Sequence, residues 1–154
     1  KRLSCRCSSG NSRKENEMGY YMSQVDQRFR IDKENKEAAL DAIKALKAES
    51  RYDWVDEEEY TTAEELEGGL LAWRWRADLD KDGNVVGIQF DGEKLGDDEV
   101  LMRAIAPFVK HGSFIEMVGE DQDWWRWSFR NGKAYAAEPT VIWPGQEDEA
   151  TQSL

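Results

Sequence analysis

Residues 113–143 read SFIEMVGEDQDWWRWSFRNGKAYAAEPTVIW, and this stretch decides the fold class because three strand patterns follow one another with only turns between them. The strand patterns cover residues 113–120, 124–130 and 133–143. Asn131-Gly132 joins the second pattern to the third, and this dipeptide is the strongest short signal for a β-hairpin turn. Pro139 lacks a backbone donor, which predicts that the last strand lies at a sheet edge or is broken there. The stretch therefore predicts an antiparallel sheet that ends in a C-terminal hairpin.

The tryptophan-rich strand within this stretch has two different faces, since alternate side chains of a strand point to opposite sides of the sheet. Trp125, Trp127 and Phe129 share one face and are expected in the core. Trp124 and Arg126 share the other face, where Trp124 has no apolar companion on its own strand. Tryptophan and arginine are enriched at binding hot spots. We therefore interpret Trp124 and Arg126 as candidate binding residues, with Arg74 as a further basic residue close in sequence to a tryptophan. Core packing is the alternative interpretation of the cluster.

The chain before this stretch alternates strand and helix patterns. A strand with a slip near its middle is expected over residues 19–31, and an apolar stripe predicts a helix over residues 33–48 with Asp32 as its N-cap. Thr62 and Glu65 match a capping box that would begin a short helix. A hairpin and another helix are expected over residues 73–90 and 97–110.

This order predicts an α+β fold, with a mainly antiparallel sheet and two or three helices on one face. If the two early helices form one crossover layer, the order becomes a ferredoxin-like split β-α-β unit plus the C-terminal hairpin.

Length and composition limit the class of protein. The chain has 154 residues with a formal net charge of −11, and 11% of its residues are aromatic, too many for a disordered acidic chain. One domain is the default at this length. The acidity argues against direct nucleic-acid binding, which needs basic surface. No apolar run approaches the roughly 18 residues of a membrane span, so no membrane association is expected.

The two ends of the sequence differ from its middle. Residues 1–17 contain five basic and two acidic side chains but one large apolar residue, so a disordered basic extension upstream of a true start at Met18 is expected. Residues 18–144 are expected to form the single domain, and residues 145–154 a disordered acidic tail. Both cysteines, Cys5 and Cys7, lie in the basic extension, and two thiolates are only half of a tetrahedral zinc site. The domain without cysteines fits a reducing compartment, and we expect a cytoplasmic protein without a cofactor.

The aspartates of the first hairpin form a weak metal candidate. Asp78, Asp80 and Asp82, followed by Gly83, match the first positions of a calcium loop, but Gln89 occupies the position of the last carboxylate. A strand pattern follows where a calcium loop would lead into a helix. A polar hairpin turn is therefore the favoured interpretation.

The acidic segment is a second candidate. It begins with the carboxylates of Asp53, Asp56, Glu57 and Glu58. They are candidate binding residues, although their spacing selects no acid–base pair and a solvated charged face is the simpler interpretation. The sequence contains one histidine, and it lacks a nucleophile elbow, a P-loop and a dinucleotide fingerprint. These features favour a protein that is not an enzyme.

Several short motifs at the two ends of the domain carry a resemblance. They are Met18-Gly-Tyr-Tyr21, Gly119-Glu-Asp-x-x-Trp124, Trp127-x-Phe-Arg-Asn-Gly-Lys133 and Glu138-Pro-x-Val-x-Trp-Pro144. They resemble a family of small proteins from actinobacteria, phages and other mobile elements. That family has no established activity, so the resemblance assigns no functional residue. It implies an intracellular accessory protein that starts at Met18.

Together these observations favour a non-enzymatic accessory protein that binds a protein partner through an aromatic and arginine-bearing sheet face. The first alternative is an acidic mimic of nucleic acid that inhibits a DNA- or RNA-binding protein. The second alternative is a small metal-dependent enzyme that uses the acidic segment.

Overall fold

A computed structural model describes residues 20–47 and 55–145. The described chain is mixed α+β, as expected, with antiparallel strands only. The elements in chain order are β1 (Met22–Arg28), α1 (Lys36–Lys44), α2 (Glu57–Thr61), α3 (Leu66–Ala72), β2 (Trp75–Leu79), β3 (Val85–Phe90), α4 (Asp98–Ile105), β4 (Phe114–Gly119), β5 (Trp124–Arg130) and β6 (Lys133–Ala137). Short 3-10 turns precede α1 at Lys33–Asn35 and follow α4 at Ala106–Phe108. None of the helices in these two ranges is long and apolar enough to cross a membrane.

Several expectations concern other parts of the chain. The basic extension with its two cysteines, the start at Met18, Asp53 and residues 146–154 lie outside the described residues.

The larger sheet has four strands in the order β1-β4-β5-β6. Its last three strands form the predicted meander, and Asn131 and Gly132 turn β5 into β6 with φ angles of 51° and 78°. β6 is an edge strand and ends at Ala137, two residues before Pro139, as the missing donor of that proline predicts. The slip in the first strand is a β-bulge between Gln24 and Asp26.

The smaller sheet consists of β2 and β3, and its separation from the larger sheet contradicts the ferredoxin-like arrangement. In a split β-α-β unit, β1 and β3 would be parallel neighbours in one sheet. Here Ile31, three residues beyond the end of β1, exchanges backbone hydrogen bonds of 2.9 Å with Val85 of β3 at an isolated antiparallel bridge. Farther along β3, at Ile88 and Phe90, the side chains of Gln24 and Gln27 make the hydrogen bonds that the backbone of a paired strand would make. The fold class and the C-terminal hairpin are confirmed, whereas the ferredoxin-like sheet is not formed and the described residues contain four α-helices instead of the expected two or three.

The junction between the sheets is made by two glutamines of β1, and we call it the glutamine seam (Gln24 and Gln27). The Gln24 Nε2 atom donates to the Ile88 carbonyl at 2.9 Å, and its Oε1 atom accepts from the Phe90 backbone N–H at 2.8 Å. Gln27 Oε1 accepts from the Ile88 backbone N–H at 2.9 Å. These side-chain amides satisfy backbone groups of β3 that no neighbouring strand reaches.

One hydrophobic core lies against both sheets. Trp125, Trp127 and Phe129 of β5 are buried, as predicted from their shared strand face. Trp75 of β2 is also buried, and its ring meets the ring of Trp127 edge to face with centroids 6.1 Å apart. This contact joins the two sheets through the core, so the separate hairpin is part of the same packed unit.

The predicted helix caps are wrong in detail. Asp32 precedes the first helical turn, but its carboxylate accepts from Arg30 Nε at 2.6 Å and caps no backbone donor. The Lys33 N–H instead donates to Asn84 Oδ1, which the β2–β3 turn supplies from across the fold. A side chain distant in sequence therefore satisfies this first-turn donor.

The expected capping box is also absent. The Thr62 hydroxyl donates to the Glu58 carbonyl at 2.7 Å, so it closes α2 rather than opening α3. The following helix begins only at Leu66, and Glu65 at its N-cap makes no side-chain cap. Gly69 lies in this helix because a Cβ there would stand 2.7 Å from Leu40 Cδ1 of α1. Close helix packing thus explains a glycine that costs about 1 kcal/mol in propensity.

Candidate binding surface on the four-stranded sheet

The larger sheet has one buried face and one face that is more exposed to solvent. Side-chain burial alternates along β4 and β5 accordingly. We call the presented side the outer face and define it by the side chains that the strand register aligns there. These are Ser23, Asp26 and Arg28 of β1, Phe114, Glu116 and Val118 of β4, Trp124, Arg126, Ser128 and Arg130 of β5, and Lys133, Tyr135 and Ala137 of β6.

Arg126 occupies the centre of the outer face in a fixed position. Its guanidinium carbon lies 4.4 Å from the ring centroid of Phe114, and its Nε donates to Glu116 Oε1 at 3.0 Å. A second guanidinium nitrogen also donates to that carboxylate oxygen. Stacking and pairing together hold the arginine flat against the sheet, which lowers the entropy that a partner would have to remove.

Trp124 stands beside Arg126 and is 44% exposed, unlike its neighbour Trp125 in the core. It lines two clefts, which share Trp124, Trp125, Glu138 and Pro139 as walls. The first, of about 270 Å³, we call the acidic cleft; it is also lined by Tyr20, Leu95, Gln122, Asp123 and Val141. The second, of about 470 Å³, we call the arginine cleft; it is also lined by Glu116, Arg126, Ser128 and Ala137. An exposed tryptophan therefore lines concave surface in both clefts.

Tyr20 forms a wall of the acidic cleft and is tightly fitted to β4. A Cβ on Gly119 would lie 2.2 Å from the Tyr20 hydroxyl oxygen, so only glycine allows the ring to lie against the strand. The hydroxyl donates to Asp123 Oδ2 at 3.2 Å. Burial and the charge of Asp123 raise the pKa of Tyr20 to about 12, so the phenol keeps its proton at neutral pH. The Tyr20 hydroxyl and the Asp123 carboxylate therefore form one hydrogen-bonded wall of the acidic cleft.

Arg74, the third residue of the predicted binding set, lies away from the outer face. Its Nη2 donates to Asp98 Oδ2 at 3.0 Å, and its Nη1 donates to the Lys94 carbonyl at 2.5 Å. The side chains of Arg74 and Asp98 are only 11% and 1% exposed. Asp98 also accepts from the Trp75 indole N–H at 2.9 Å. The structure places Arg74 in a buried network at the start of α4.

Asp98 in this network is sensitive to pH. Burial raises its pKa above the usual value near 3.8, and this effect outweighs the opposing charge of Arg74. Folding therefore favours the protonated carboxyl. The associated stabilisation is complete below the unfolded-state pKa and is lost as pH rises through the folded-state pKa.

The acidic segment is arranged as a helix start. Asp56 Oδ1 accepts from the Glu58 backbone N–H at 2.8 Å and so caps α2. Glu57 forms an exposed ion pair of 3.2 Å with Lys47, and Glu58 is exposed. Asp53 lies outside the described residues. The described carboxylates of this segment are not brought to the outer face by any contact in the fold.

Asp80 and Asp82 lie in the hairpin turn that the sequence predicts, whereas Asp78 lies in β2. Asp80 Oδ1 accepts from the backbone N–H groups of Asp82 and Asn84, both at 2.9 Å, and Asp80 Oδ2 accepts from Asn84 Nδ2. These bonds lower the pKa of Asp80. Asp78 accepts from Gln89. Over the two described ranges, no three His, Cys, Asp or Glu side chains form a group that could hold a metal ion.

The clefts contain residues that the sequence interpretation missed, namely Tyr20, Asp123, Glu138, Pro139 and Val141. A signal for one of them was present in the hairpin. Counted outward from the Arg130–Lys133 pair at the Asn131-Gly132 turn, the register brings Ala137 opposite Arg126. Pro139 follows two residues later, beyond the end of β6, and lines the same clefts as Trp124. The position of Tyr20 depends on packing against Gly119 and has no comparable signal.

Comparison of the chain with protein-family models, with curated proteins and with solved structures finds no match. The resemblance to small phage and actinobacterial proteins therefore stays a prediction.

Proposed function

We propose that this protein is a non-enzymatic binding protein whose protein partner docks on the outer face around Trp124. One observation carries the proposal: a half-exposed tryptophan lines two clefts on a strand whose alternate side chains are buried. Aromatic anchors beside concave surface are typical of the centres of protein interfaces.

The rigidity of the surroundings supports this proposal. β5 pairs with β4 along its length, where Val118 lies opposite Trp124, and with β6 as far as Arg126, so Trp124 stands on a paired strand. Arg126 is held by Phe114 and Glu116. A partner would therefore meet a surface that is already ordered, and little conformational entropy would be lost on docking.

The test compares proteins captured from a cell lysate by immobilised wild type and by two variants. Trp124→Ala removes the anchor, whereas Leu71→Ala is a matched control because Leu71 is 51% exposed but lies on α3. We expect a protein retained by the wild type and by Leu71→Ala to be lost at least about tenfold from Trp124→Ala, in the range of interface hot spots. Thermal melts establish that both variants are folded.

The result also separates the proposal from acidic mimicry of nucleic acid. A mimic would hold its partner through its negative charge. Its capture would survive Trp124→Ala and be lost in Glu57→Lys, Glu58→Lys double variants. Capture that is equal in the wild type and in Trp124→Ala would contradict docking on the outer face.

A further inference from the structure

The outer face has a second charged feature at the end of the sheet that carries the β5–β6 turn. Four exposed basic residues lie at this end, and we call them the basic end: Arg28, Lys110, Arg130 and Lys133. We propose that the basic end binds an acidic segment of the protein partner, rich in aspartate or glutamate. This inference rests on the proposed docking of the partner on the outer face.

The strand register brings three of these residues to the same end of the outer face. Arg28 is the last residue of β1 and lies opposite Phe114 of β4, which in turn lies opposite Ser128 of β5. Arg130 follows two positions after Ser128, on the same strand face, and lies opposite Lys133 of β6. The three side chains therefore come from the ends of three different strands.

Lys110 is held at the same end by two backbone hydrogen bonds of the loop that precedes β4. Its own N–H donates to the Arg30 carbonyl at 2.9 Å, two residues beyond the end of β1. The Gly112 N–H donates to the Phe129 carbonyl of β5, also at 2.9 Å. The loop with Lys110 is thus tied to both strands that supply the arginines.

The hairpin places two like charges directly opposite each other. Arg130 and Lys133 are cross-strand neighbours, and like charges in that arrangement destabilise a sheet. Within residues 20–47 and 55–145, no ion pair with a carboxylate involves any of the four residues of the basic end. An anionic group that binds between the two side chains would relieve their repulsion.

The outer face differs in charge from the chain as a whole. Its side chains, as defined by the strand register, include four cations and two carboxylates, a balance of +2, whereas the chain carries −11. One of the two carboxylates, Glu116, is already bonded to Arg126. A positive field confined to one face attracts an anionic group and determines how it is oriented there.

Arg130 is ordered in a way that suits a carboxylate. Its guanidinium carbon lies 4.6 Å from the ring centroid of Tyr135, so the ring supports the cation. A guanidinium supported in this way keeps its N–H groups at its edge, where two of them can donate to the two oxygens of one carboxylate. Little side-chain entropy would be lost when that carboxylate binds.

The extent of the surface favours an acidic protein segment over a nucleic acid. Trp124 and Arg130 are the two ends of β5, six positions apart, which corresponds to about 20 Å in a strand. An extended segment of about six residues could contact the tryptophan and the basic end together. A longer polyanion would extend beyond this face over a chain with a net charge of −11, where it would be repelled.

The test follows the backbone N–H resonances of the full isotope-labelled chain by nuclear magnetic resonance while one of three probes is added. The probes are an acetylated hexapeptide amide of alternating glutamate and aspartate, its glutamine–asparagine counterpart, and the single-stranded DNA hexathymidylate. We expect the acidic peptide to shift the resonances of Arg130 and Lys133, with a dissociation constant on the order of millimolar, and the neutral peptide to bind at least about fivefold more weakly. Raising the salt concentration to about 0.5 M should weaken the response to the acidic peptide.

Two double variants make the assignment specific. Arg130→Gln with Lys133→Gln removes the opposed charges, and we expect about three- to tenfold weaker binding of the acidic peptide. Lys33→Gln with Lys81→Gln is the matched control, because it changes the net charge equally at exposed positions in the 3-10 turn before α1 and in the β2–β3 turn. Its affinity should stay within about twofold of the wild type. Thermal melts establish that both double variants are folded.

The outcomes separate this inference from the proposed function. Equal binding of the acidic and neutral peptides, or equal affinity of the two double variants, would overturn the acidic occupant even if capture of a partner still depends on Trp124. Tighter binding of hexathymidylate than of the acidic peptide at the same resonances would overturn it in favour of a nucleic acid. Charge-dependent shifts that only the Arg130 and Lys133 variant weakens would support it. Capture that survives Trp124→Ala would overturn docking around Trp124 while leaving the probe result intact.

Discussion

The glutamine seam offers a sharp test of how the two sheets are held together. Replacing Gln24 with leucine keeps a side chain of similar length but removes both amide bonds, one to the Ile88 carbonyl and one from the Phe90 N–H. Two backbone groups of β3 then lose their partners. Each such loss costs about 1–3 kcal/mol when buried, and the lower part of that range applies because Gln24 is half-buried. We expect the free energy of unfolding to fall by about 2–3 kcal/mol.

A second substitution at the same position separates polarity from packing. Gln24→Glu retains an acceptor for the Phe90 N–H but turns a carboxylate oxygen toward the Ile88 carbonyl oxygen. Repulsion there favours the protonated acid, which can donate as the amide does. The carboxyl pKa should therefore be raised in the folded variant. Its deficit in stability relative to the wild type should shrink as pH falls below that pKa.

The measurement is urea denaturation followed by tryptophan fluorescence and circular dichroism at pH 7 and pH 5, with linear extrapolation to water. Ser23→Ala is the control, because Ser23 is exposed and adjacent, and it should stay within about 0.5 kcal/mol of the wild type. The reasoning is refuted if Gln24→Leu is as stable as Ser23→Ala. The apolar contact between Trp75 and Trp127 would then suffice to join the sheets.

Three further predictions follow from the described contacts. Trp127→Ala should lower the free energy of unfolding by about 3–5 kcal/mol, whereas Trp124→Ala should cost less than about 1 kcal/mol, and equal losses in urea melts would contradict the outer-face assignment. Asp98→Asn should be most costly relative to the wild type at low pH and less costly toward neutral pH, as measured by urea melts across that range, and the opposite trend would show that Arg74 dominates the pKa of Asp98. Millimolar Ca²⁺ should leave the melting temperature unchanged, because Asp80 is engaged in the hairpin turn; a clear rise would restore the metal interpretation.

Local signals were sufficient for the strands and their turns. Residues 124–130 form β5 over the predicted range, and the hairpin expected over residues 73–90 contains β2 and β3. Alternation and turn residues act over a few neighbours, so the sequence contains the information. α2 had no such signal. Its sequence EEEYT has one buried residue, Tyr60, whose hydroxyl donates to the distant Leu46 carbonyl.

Long-range contacts explain the errors in topology and in helix starts. The separation of the sheets depends on Gln24 and Gln27, whose amides bond to β3 more than 60 positions away. The 3-10 turn before α1 uses Asn84 in the same way, because the Lys33 N–H donates to Asn84 Oδ1. A polar side chain in a strand or turn pattern carries no indication of which distant backbone group it will meet. Such contacts become predictable only after the topology is known.

The candidate site shows the same division between local and distant information. The alternation of side chains in β5 predicts that Trp124 and Arg126 share one strand face, and in the structure both lie on the outer face. Arg74 was included for its closeness to tryptophans in sequence, yet its guanidinium turns inward to Asp98. Closeness in sequence is a poor guide here, because Arg74 lies just before the first residue of β2 and is outside the regular alternation of that strand.

The hairpin turn that defines the end of the fold also determines the geometry of the proposed site. Asn131 and Gly132 fix which residues of β5 and β6 lie opposite each other, and that register ends with Ala137 opposite Arg126, directly before Glu138 and Pro139 of the clefts. A slip of one residue would exchange the two faces of a strand, burying Trp124 and exposing Trp125. The core therefore selects the register, because Trp125 and Trp127 must be buried together. The clefts beside Trp124 are thus held in place by the same burial of apolar surface that stabilises the domain.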